Sequence, residues 1–448
     1  MKTDPAAVIR ALDGGLILRR STAADADALA VFNARIHSDF GPDHPDERVA
    51  AWATDLLVRP HPTFHPDDFT IVAEAATGKI VSTMNLISQT WAYEGIPFGV
   101  GRPELVGTMP KYRNRGLVRV QFEEIHRWSA QRGELVQGIT GIPYYYRLFG
   151  YEMGLDLGGG RVGFEAQLPQ LKAGEDEPFR IRPAAEADLA FLMETEARAA
   201  GRNLISCVRD AAIWRYELIG QGPKNGERKE IRIITRSDGE AVGLLIHPWF
   251  DWDVGLVANA FELKAGVSWL EVTPSVARYL WQTGGKYRRG DGRPAKRTSY
   301  GFWLGQEHPA YAVFGDRLPR VSDPYAWYLR VPDLPAFLHR IAPALEQHIA
   351  NSVIVGYSGE VKISFYRSGL RLRLEKGHLS RVENWKPTPD DRGRAAFPDL
   401  SFLQLVFGYR SFAELEQSFA DCWYADNEAR LLLDTLFPKK PSDFLPLS

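Results

Sequence analysis

The sequence predicts a mixed α/β chain of the α+β class. It reads as two copies of one mostly antiparallel sheet flanked by helices, followed by a smaller α+β unit. Three observations predict this. Short segments recur in the same order at a spacing of about 164 residues, too regular for chance. Strand-like runs within each copy are joined by tight-turn dipeptides, which favour antiparallel hairpins over parallel crossovers. After Pro332 the pattern changes and no repeat is evident. The expected units are 1–175, 176–332 and 333–448.

The elements follow in order. "LRRSTAADADALAVF" is a strand and an acidic-capped helix, echoed by "IRPAAEADLAFLMET". "FTIVAEA" and "KIVSTMNLIS" are strands around a Thr-Gly turn; "IRIITRS" and "AVGLLIHP" flank Asp-Gly in the second copy. Such turns need residues that accept positive φ. Pro110 in "GTMPKYRNRGL" is echoed by Pro274 in "EVTPSVARYLW", and Gly150 in "YRLFGYE" by Gly315 in "YAVFGDR". In the third unit "LPAFLHRIAPALEQHIA" is helical, "GEVKISFYRSGLRLRLEKGHLSRVENW" alternates as strands, and "SFAELEQSFA" and "DNEARLLLDTLF" return to helix.

Composition limits the function classes. With 448 residues, 45% hydrophobic and 25% charged, the chain is ordinary globular material with a large core. A formal net charge of −2 supplies no basic field for nucleic acid or anionic membrane, so neither is expected as a partner. Cys207 and Cys422 are too few for a disulfide framework, and no metal-ligand spacing appears. "MKTDPAAVIRALDGG" lacks the apolar core of a signal peptide, and no apolar run has membrane-spanning length. A cytoplasmic protein without metal is expected.

The chemistry concentrates in Gly107–Trp128, "GTMPKYRNRGLVRVQFEEIHRW". After the strand "ELVGTM", apolar Val118, Phe122 and Ile125 recur at helical spacing. The turn Arg113-Asn114-Arg115-Gly116 therefore feeds a helix N-terminus, where unpaired N–H groups and the positive dipole end suit an anion. Gly116 permits close backbone approach, and Arg113 and Arg115 add charge suited to phosphate. A solvated basic turn before a core helix is the alternative for these residues taken alone.

Strand, turn and helix together resemble motif A of the GCN5-related N-acetyltransferases, Gln/Arg-x-x-Gly-x-Gly/Ala, here Arg113-Asn114-Arg115-Gly116-Leu117-Val118. The resemblance implies that this helix N-terminus holds the pyrophosphate of acetyl-CoA, and that the main chain of Val106, Gly107 and Thr108 pairs with the pantetheine arm. "GIPYYYRLFGYE" resembles the later Tyr-x-x-x-Gly-Phe/Tyr segment, which implies Tyr146 as general acid; a packed run of Tyr144, Tyr145 and Tyr146 is the plain alternative. In the second copy Ala277 aligns with Arg113 and Leu280 with Gly116, leaving no cationic turn, and Tyr311 aligns with Tyr146. One active site per chain is expected.

One intact and one degenerate copy followed by a small α+β unit resembles the Eis (enhanced intracellular survival) acetyltransferases, with a tail unit similar to sterol carrier protein modules. That resemblance implies a homo-oligomer, often hexameric, and a terminal carboxylate, here on Ser448, reaching back as base or amine anchor. An alkyl amine with pKa about 10.4 must lose a proton before attack, at roughly 4.6 kcal/mol at pH 7. Ser448 and Glu104 are the candidate bases. Trp91, Tyr93 and Phe98 are candidates to wall an amine pocket, or else inter-domain core. His61, His65, Asp67 and Asp68 cluster in a proline-rich loop without metal spacing. The expected reaction is acetyl transfer from acetyl-CoA to a primary amine of a small molecule or peptide by direct attack. The competing readings are a non-enzymatic carrier of an apolar ligand and a transferase of longer acyl chains.

Overall fold

The structure is a computed structural model describing residues 8–251, 255–288 and 298–448. The first unit runs β1 (Val8–Leu12), β2 (Leu16–Arg20), α1 (Ala26–Ile36), α2 (Glu47–Val58), β3 (Phe69–Glu74), β4 (Ile80–Tyr93), β5 (Ile96–Thr108), α3 (Leu117–Gln131), β6 (Val136–Ile139), β7 (Glu152–Leu157) and β8 (Gly160–Phe164). The second runs β9 (Phe179–Pro183), α4 (Leu189–Ala200), β10 (Ile205–Cys207), α5 (Ala211–Arg215), β11 (Lys229–Arg236), β12 (Ala241–Pro248), β13 (Leu256–Ala258), β14 (Ala260–Leu263), α6 (Trp269–Gly284), β15 (Ser299–Phe302), α7 (Pro309–Phe314), β16 (Arg320–Ser322) and β17 (Tyr325–Arg330). The third comprises α8 (Leu334–Arg340), α9 (Ala342–Ala350), β18 (Gly359–Ser364), β19 (Gly369–Glu375), β20 (His378–Trp385), β21 (Ala395–Ala396), α10 (Phe402–Val406), α11 (Phe412–Ser418), β22 (Trp423–Tyr424) and α12 (Asn427–Leu436). The fold is mixed α/β, as the sequence predicts.

Local chemistry explains the boundaries. Gly78 (φ +72°) and Gly239 (φ +91°) occupy the left-handed region in the two hairpin turns. The Asp46 carboxylate accepts the Arg48 N–H at the start of α2, and Ser411 with Glu414 forms a reciprocal cap on α11. The helical run after Pro332 divides into α8 and α9, with Pro343 in the first turn of α9, where its missing N–H costs nothing.

The largest sheet has the order β1-β2-β3-β4-β5-β6-β17-β7, with β10 also paired to β4. The second unit carries two sheets, β14-β12-β11-β9 and β13-β15-β8-β16, and the third unit carries a single sheet, β20-β19-β18-β21-β22. Two strands are exchanged. β17 lies between β6 and β7, with Leu329 opposite Gly138 and Trp327 opposite Leu155. Reciprocally, β8 lies between β15 and β16, with Gly163 opposite Tyr300 and Arg161 opposite Val321. Neither of these sheets is completed by one continuous stretch of chain.

β5 opens the site. It pairs antiparallel with β4 along its length but parallel with β6 only at Val100 and Gly101. An extra residue on β5 between the partners of Thr83 and Asn85 leaves Leu105 at φ +50°. This bulge re-aims the strand. Beyond Gly101, no described strand pairs with β5 on the β6 side.

One apolar cluster joins Trp91, Tyr93, Phe98 and Val100 of β4 and β5 to Trp327, Leu329 and the core of the third unit. Trp91 and Tyr93 are fully buried there, and Phe98 packs edge-on against Phe337. These three aromatics are inter-unit core, not the walls of an amine pocket.

Candidate active site

The cleft sits where β5 leaves β6. Its lining includes Val106, Gly107 and Thr108 of the strand end, Arg113, Asn114 and Gly116 of the turn, and Leu117 and Val118 of α3. Ile36 and His37 close one side, and Ile142, Tyr145, Leu148 and Phe149 the other, around a volume of about 620 Å³. Of the sequence-predicted donor residues, only Arg115 lies off this lining. Its guanidinium extends over the Tyr112 ring, 5.2 Å from the centroid. Arg119, one helical turn into α3 and missed in the sequence, lines the cleft and covers Phe149 at 5.2 Å.

The turn is shaped for an anion. Asn114 (φ +63°) and Gly116 (φ +75°) both adopt left-handed conformations, flanking Arg115. Gly116 is the N-cap of α3 and offers no capping side chain, so the first-turn N–H groups stay available to a ligand. Arg113 is exposed and donates from Nε to the Thr108 carbonyl at 3.4 Å, folding back toward the strand end. Gly107 is required sterically. A Cβ there would stand 2.8 Å from Cγ2 of Ile36 and 3.2 Å from Phe32.

Tyr146 lies in the short helical turn Tyr145–Phe149, just behind the cleft wall, with only 3% of its surface exposed. Its ring packs edge-on against Tyr328, 5.7 Å away, and against Tyr145 and Phe122. Burial first, then the nearby Glu104 charge, pushes its phenol well above the ordinary value, so it stays protonated through the physiological range. The aromatic run is therefore packed, and its Tyr146 phenol is held in the neutral form. Tyr328, from the exchanged β17, accepts the Tyr144 N–H at 2.7 Å and shares a 2.9 Å hydroxyl contact with Tyr325. That bond secures the turn on which Tyr146 stands. Sequence reasoning had no signal for it.

Glu104 and Ser448 are brought together by Arg102. On a strand, residues two apart share a face, and Arg102 reaches the Glu104 carboxylate at 2.6 Å. Its Nη1 also donates to the Leu447 carbonyl at 2.7 Å and to Ser448 Oγ at 2.9 Å. Gln89 adds a bond to the Leu447 carbonyl at 2.5 Å. Ser448 is 2% exposed, and Leu447 is packed by Ile213 and Tyr216. Desolvation raises the Glu104 carboxyl above its usual range, against the opposing pull of Arg102. The Arg-Pro-Glu spacing was a legible signal for Arg102; its reach to the chain end was not.

The remaining predicted positions lie off the cleft lining. Asp67 pairs with Arg20 at 2.8 Å and Asp68 with Arg132. His61 packs against Tyr216 at 4.4 Å between ring centroids, and burial drives its imidazole down to about 4. In the second unit Ala277 and Leu280 are buried in the middle of α6, so the sequence echo pairs a turn with a helix interior. The segment before α6 is Lys264 to Ser268, with Gly266 at φ +77° and Lys264 tied to Glu240 at 2.9 Å. Tyr311 is held by the Phe302 and Gly305 carbonyls and the Leu304 N–H, each within 3.1 Å of its oxygen.

Known proteins share this frame. Residues 38–154 match the model of the acetyltransferase (GNAT) domain family. A probable N-acyltransferase from Enterococcus faecalis V583 superposes with TM-score 0.67 at 12% identity, over 97% of this chain and 100% of that one. A GCN5-related N-acetyltransferase from Kribbella flavida gives 0.59 at 18%, over 97% and 98%. Eis1 from Mycobacterium abscessus gives 0.59 at 14%, over 97% and 99%. No curated protein sequence matches. At these identities the structures establish the fold. The cleft at the start of α3 thus lies in the segment that matches the acetyltransferase (GNAT) domain family, and the chain as a whole shares the fold of these three structures.

Proposed function

We propose that the protein is an N-acetyltransferase that moves the acetyl group of acetyl-CoA to a primary amine by direct attack. The observation that carries this is the unpaired end of β5 beside an uncapped helix N-terminus whose turn contains two left-handed residues. The free strand edge offers amide groups to a pantetheine arm, and the helix end offers N–H donors and positive potential to a pyrophosphate. The GNAT match over the same residues supports the assignment.

In this reading Glu104 or the Ser448 carboxylate takes the ammonium proton, directly or through water; Arg102 positions Glu104 and holds the last residue through the Leu447 carbonyl and the Ser448 hydroxyl. The free amine attacks the thioester carbon, and the negative charge developing on oxygen is met by β5 backbone donors. Collapse expels the thiolate; Tyr146 gives it a proton and takes back the one that the acylated nitrogen sheds, so the buried phenol is restored. No covalent enzyme intermediate is needed; Cys207 and Cys422 are buried and their thiols are pushed up to about 11. We further propose a single active site per chain, a degenerate second acetyltransferase unit, a sterol carrier protein-like third unit and a cytoplasmic homo-oligomer.

The test is binding followed by turnover. Acetyl-CoA should raise the melting temperature, and Arg113→Ala combined with Gly116→Trp should abolish that rise. Thiol release on an amine panel should then appear with wild type and fall with Tyr146→Phe. An unchanged melting curve in wild type would overturn the reading.

A further inference from the structure

A second cavity lies beneath the tail segment that leads to Ser448, and it shares no lining residue with the donor cleft. Its outer chamber, about 450 Å³, opens beside Tyr311, and an inner arm of about 70 Å³ reaches Trp214. Asp443 and Glu262 border both.

Asp443 distinguishes this cavity. Its main chain is fixed by Asn203, which donates to its carbonyl at 3.0 Å and accepts its N–H at 3.3 Å. Its carboxylate faces the cavity with no hydrogen-bond or ion-pair partner among the described residues. The surrounding charges differ in this respect. Glu262 is paired with Arg202, and Glu196 with Arg209, which also holds Glu217 at 2.8 Å. Asp156 faces the site from β7, Arg161 lies over the Tyr311 ring at 4.9 Å, and Glu307 is at the mouth. His308 Nε2 lies 3.0 Å from the Phe261 carbonyl and 3.8 Å from Glu262, and its Nδ1 accepts the Ala310 N–H. Burial first, then Glu262 and Asp156, raise the Asp443 carboxyl to about 7 against the opposing pull of Arg202. Asp443 is half-buried, and a carboxylate so placed without a partner is stabilised when a proton or a cation joins it.

We propose that this cavity binds a small primary alkylammonium ion, with its head group on the Asp443 carboxylate and its chain in the outer chamber. The inner arm has the volume of about two water molecules, enough for a methylene and an ammonium but not for a branched cation. Trp214 and Phe444 border that arm; the Trp214 ring meets the Arg209 guanidinium 5.5 Å from its centroid, and Phe444 is stacked on Trp327. No group of three or more potential metal ligands exists among the described residues, so an inorganic divalent ion has no cage here.

The test uses n-butylamine on the full chain, with n-butanol as the neutral control and potassium chloride as the inorganic one. Butylamine should raise the melting temperature saturably and give a titration isotherm, while the two controls should not. Because Asp443 and Glu196 both border the inner arm with carboxyls raised to about 7, butylamine binding should tighten as pH rises from 6 to 8. Asp443→Asn should abolish binding, and with it the part of that dependence that Asp443 supplies, while leaving the acetyl-CoA effect intact. Glu104→Gln, which removes a carboxylate of the candidate active site, should leave butylamine binding unchanged. Binding that survives Asp443→Asn, is lost in Glu104→Gln, is matched by potassium, or lacks the pH dependence would overturn the proposal. The pH series needs only wild type, so the proposal stays open to refutation even if a variant misfolds.

Discussion

Gly107 shows how one missing side chain shapes the donor cleft. Because a Cβ would press on Ile36 and Phe32, Gly107→Val should destabilise the fold by about 1–3 kcal/mol and weaken acetyl-CoA binding, read by urea denaturation and calorimetric titration. Tyr146 has the opposite character, a phenol whose packing and chemistry can be separated. Tyr146→Phe keeps the ring contacts with Tyr328 and Phe122 and removes only the hydroxyl. Turnover should fall by about 10²- to 10⁴-fold with a nearly unchanged melting temperature. Since burial holds Tyr146 protonated, its ionisation should not shape the basic limb of the pH–rate profile. Glu104 should shape the acidic limb. Its raised carboxyl means that activity climbs with pH beyond the ordinary carboxylate range, and Glu104→Gln should remove that limb if Glu104 is the base.

At the level of elements, the turn and helix at the cleft were readable because they are local. Helix α3 begins at Leu117, where the periodicity of Val118, Phe122 and Ile125 places it, and the hairpin glycines adopt the positive φ that their dipeptides require. The exchanged strands were not readable, because nothing in "YAWYLRV" marks a partner nearly 190 residues earlier in the chain, such as Gly138. The second repeat also misled at one point. Its proline echo sets Ala277 against Arg113, although one lies mid-helix and the other in a turn, because short motif matches cannot detect a change in loop length. The exchange carries a prediction. A fragment of residues 1–175 lacks β17 and leaves β6 and β7 with unpaired edges, so it should be aggregated or unfolded and bind no acetyl-CoA. Recovery of a soluble, acetyl-CoA-binding fragment would show the exchanged strand to be dispensable.

The whole molecule should be sensitive to acid. Burial depresses His61 to about 4, and His126 and His247 to about 3. Their folded values lie below the unfolded value near 6.5, so the unfolded chain binds more protons between those limits. Stability is thus fully present above about pH 6.5 and is lost as pH falls toward 4, by up to about 1.4 kcal/mol per pH unit for each histidine. His348, raised by its 2.7 Å contact with Glu94, acts in the opposite sense and offsets some of the loss. The urea midpoint should therefore be lower at pH 5 than at pH 7, and His247→Gln should lessen the difference. Among the described residues no helix is long and apolar enough to cross a membrane.

By itself the sequence determined the α+β class, the hairpins, the arginine-rich turn that leads into α3 and the aromatic segment that carries Tyr146. All of these rest on interactions between residues close in the chain, where propensity, periodicity and turn chemistry act directly. Only the tertiary structure decided what surrounds them. It supplied the β5 opening made by a bulge, the Tyr328 support from an exchanged strand, the meeting of Arg102 and Glu104 with Ser448, and the unpaired Asp443. Each depends on contacts between distant segments, and such contacts are set by how the sheets pack.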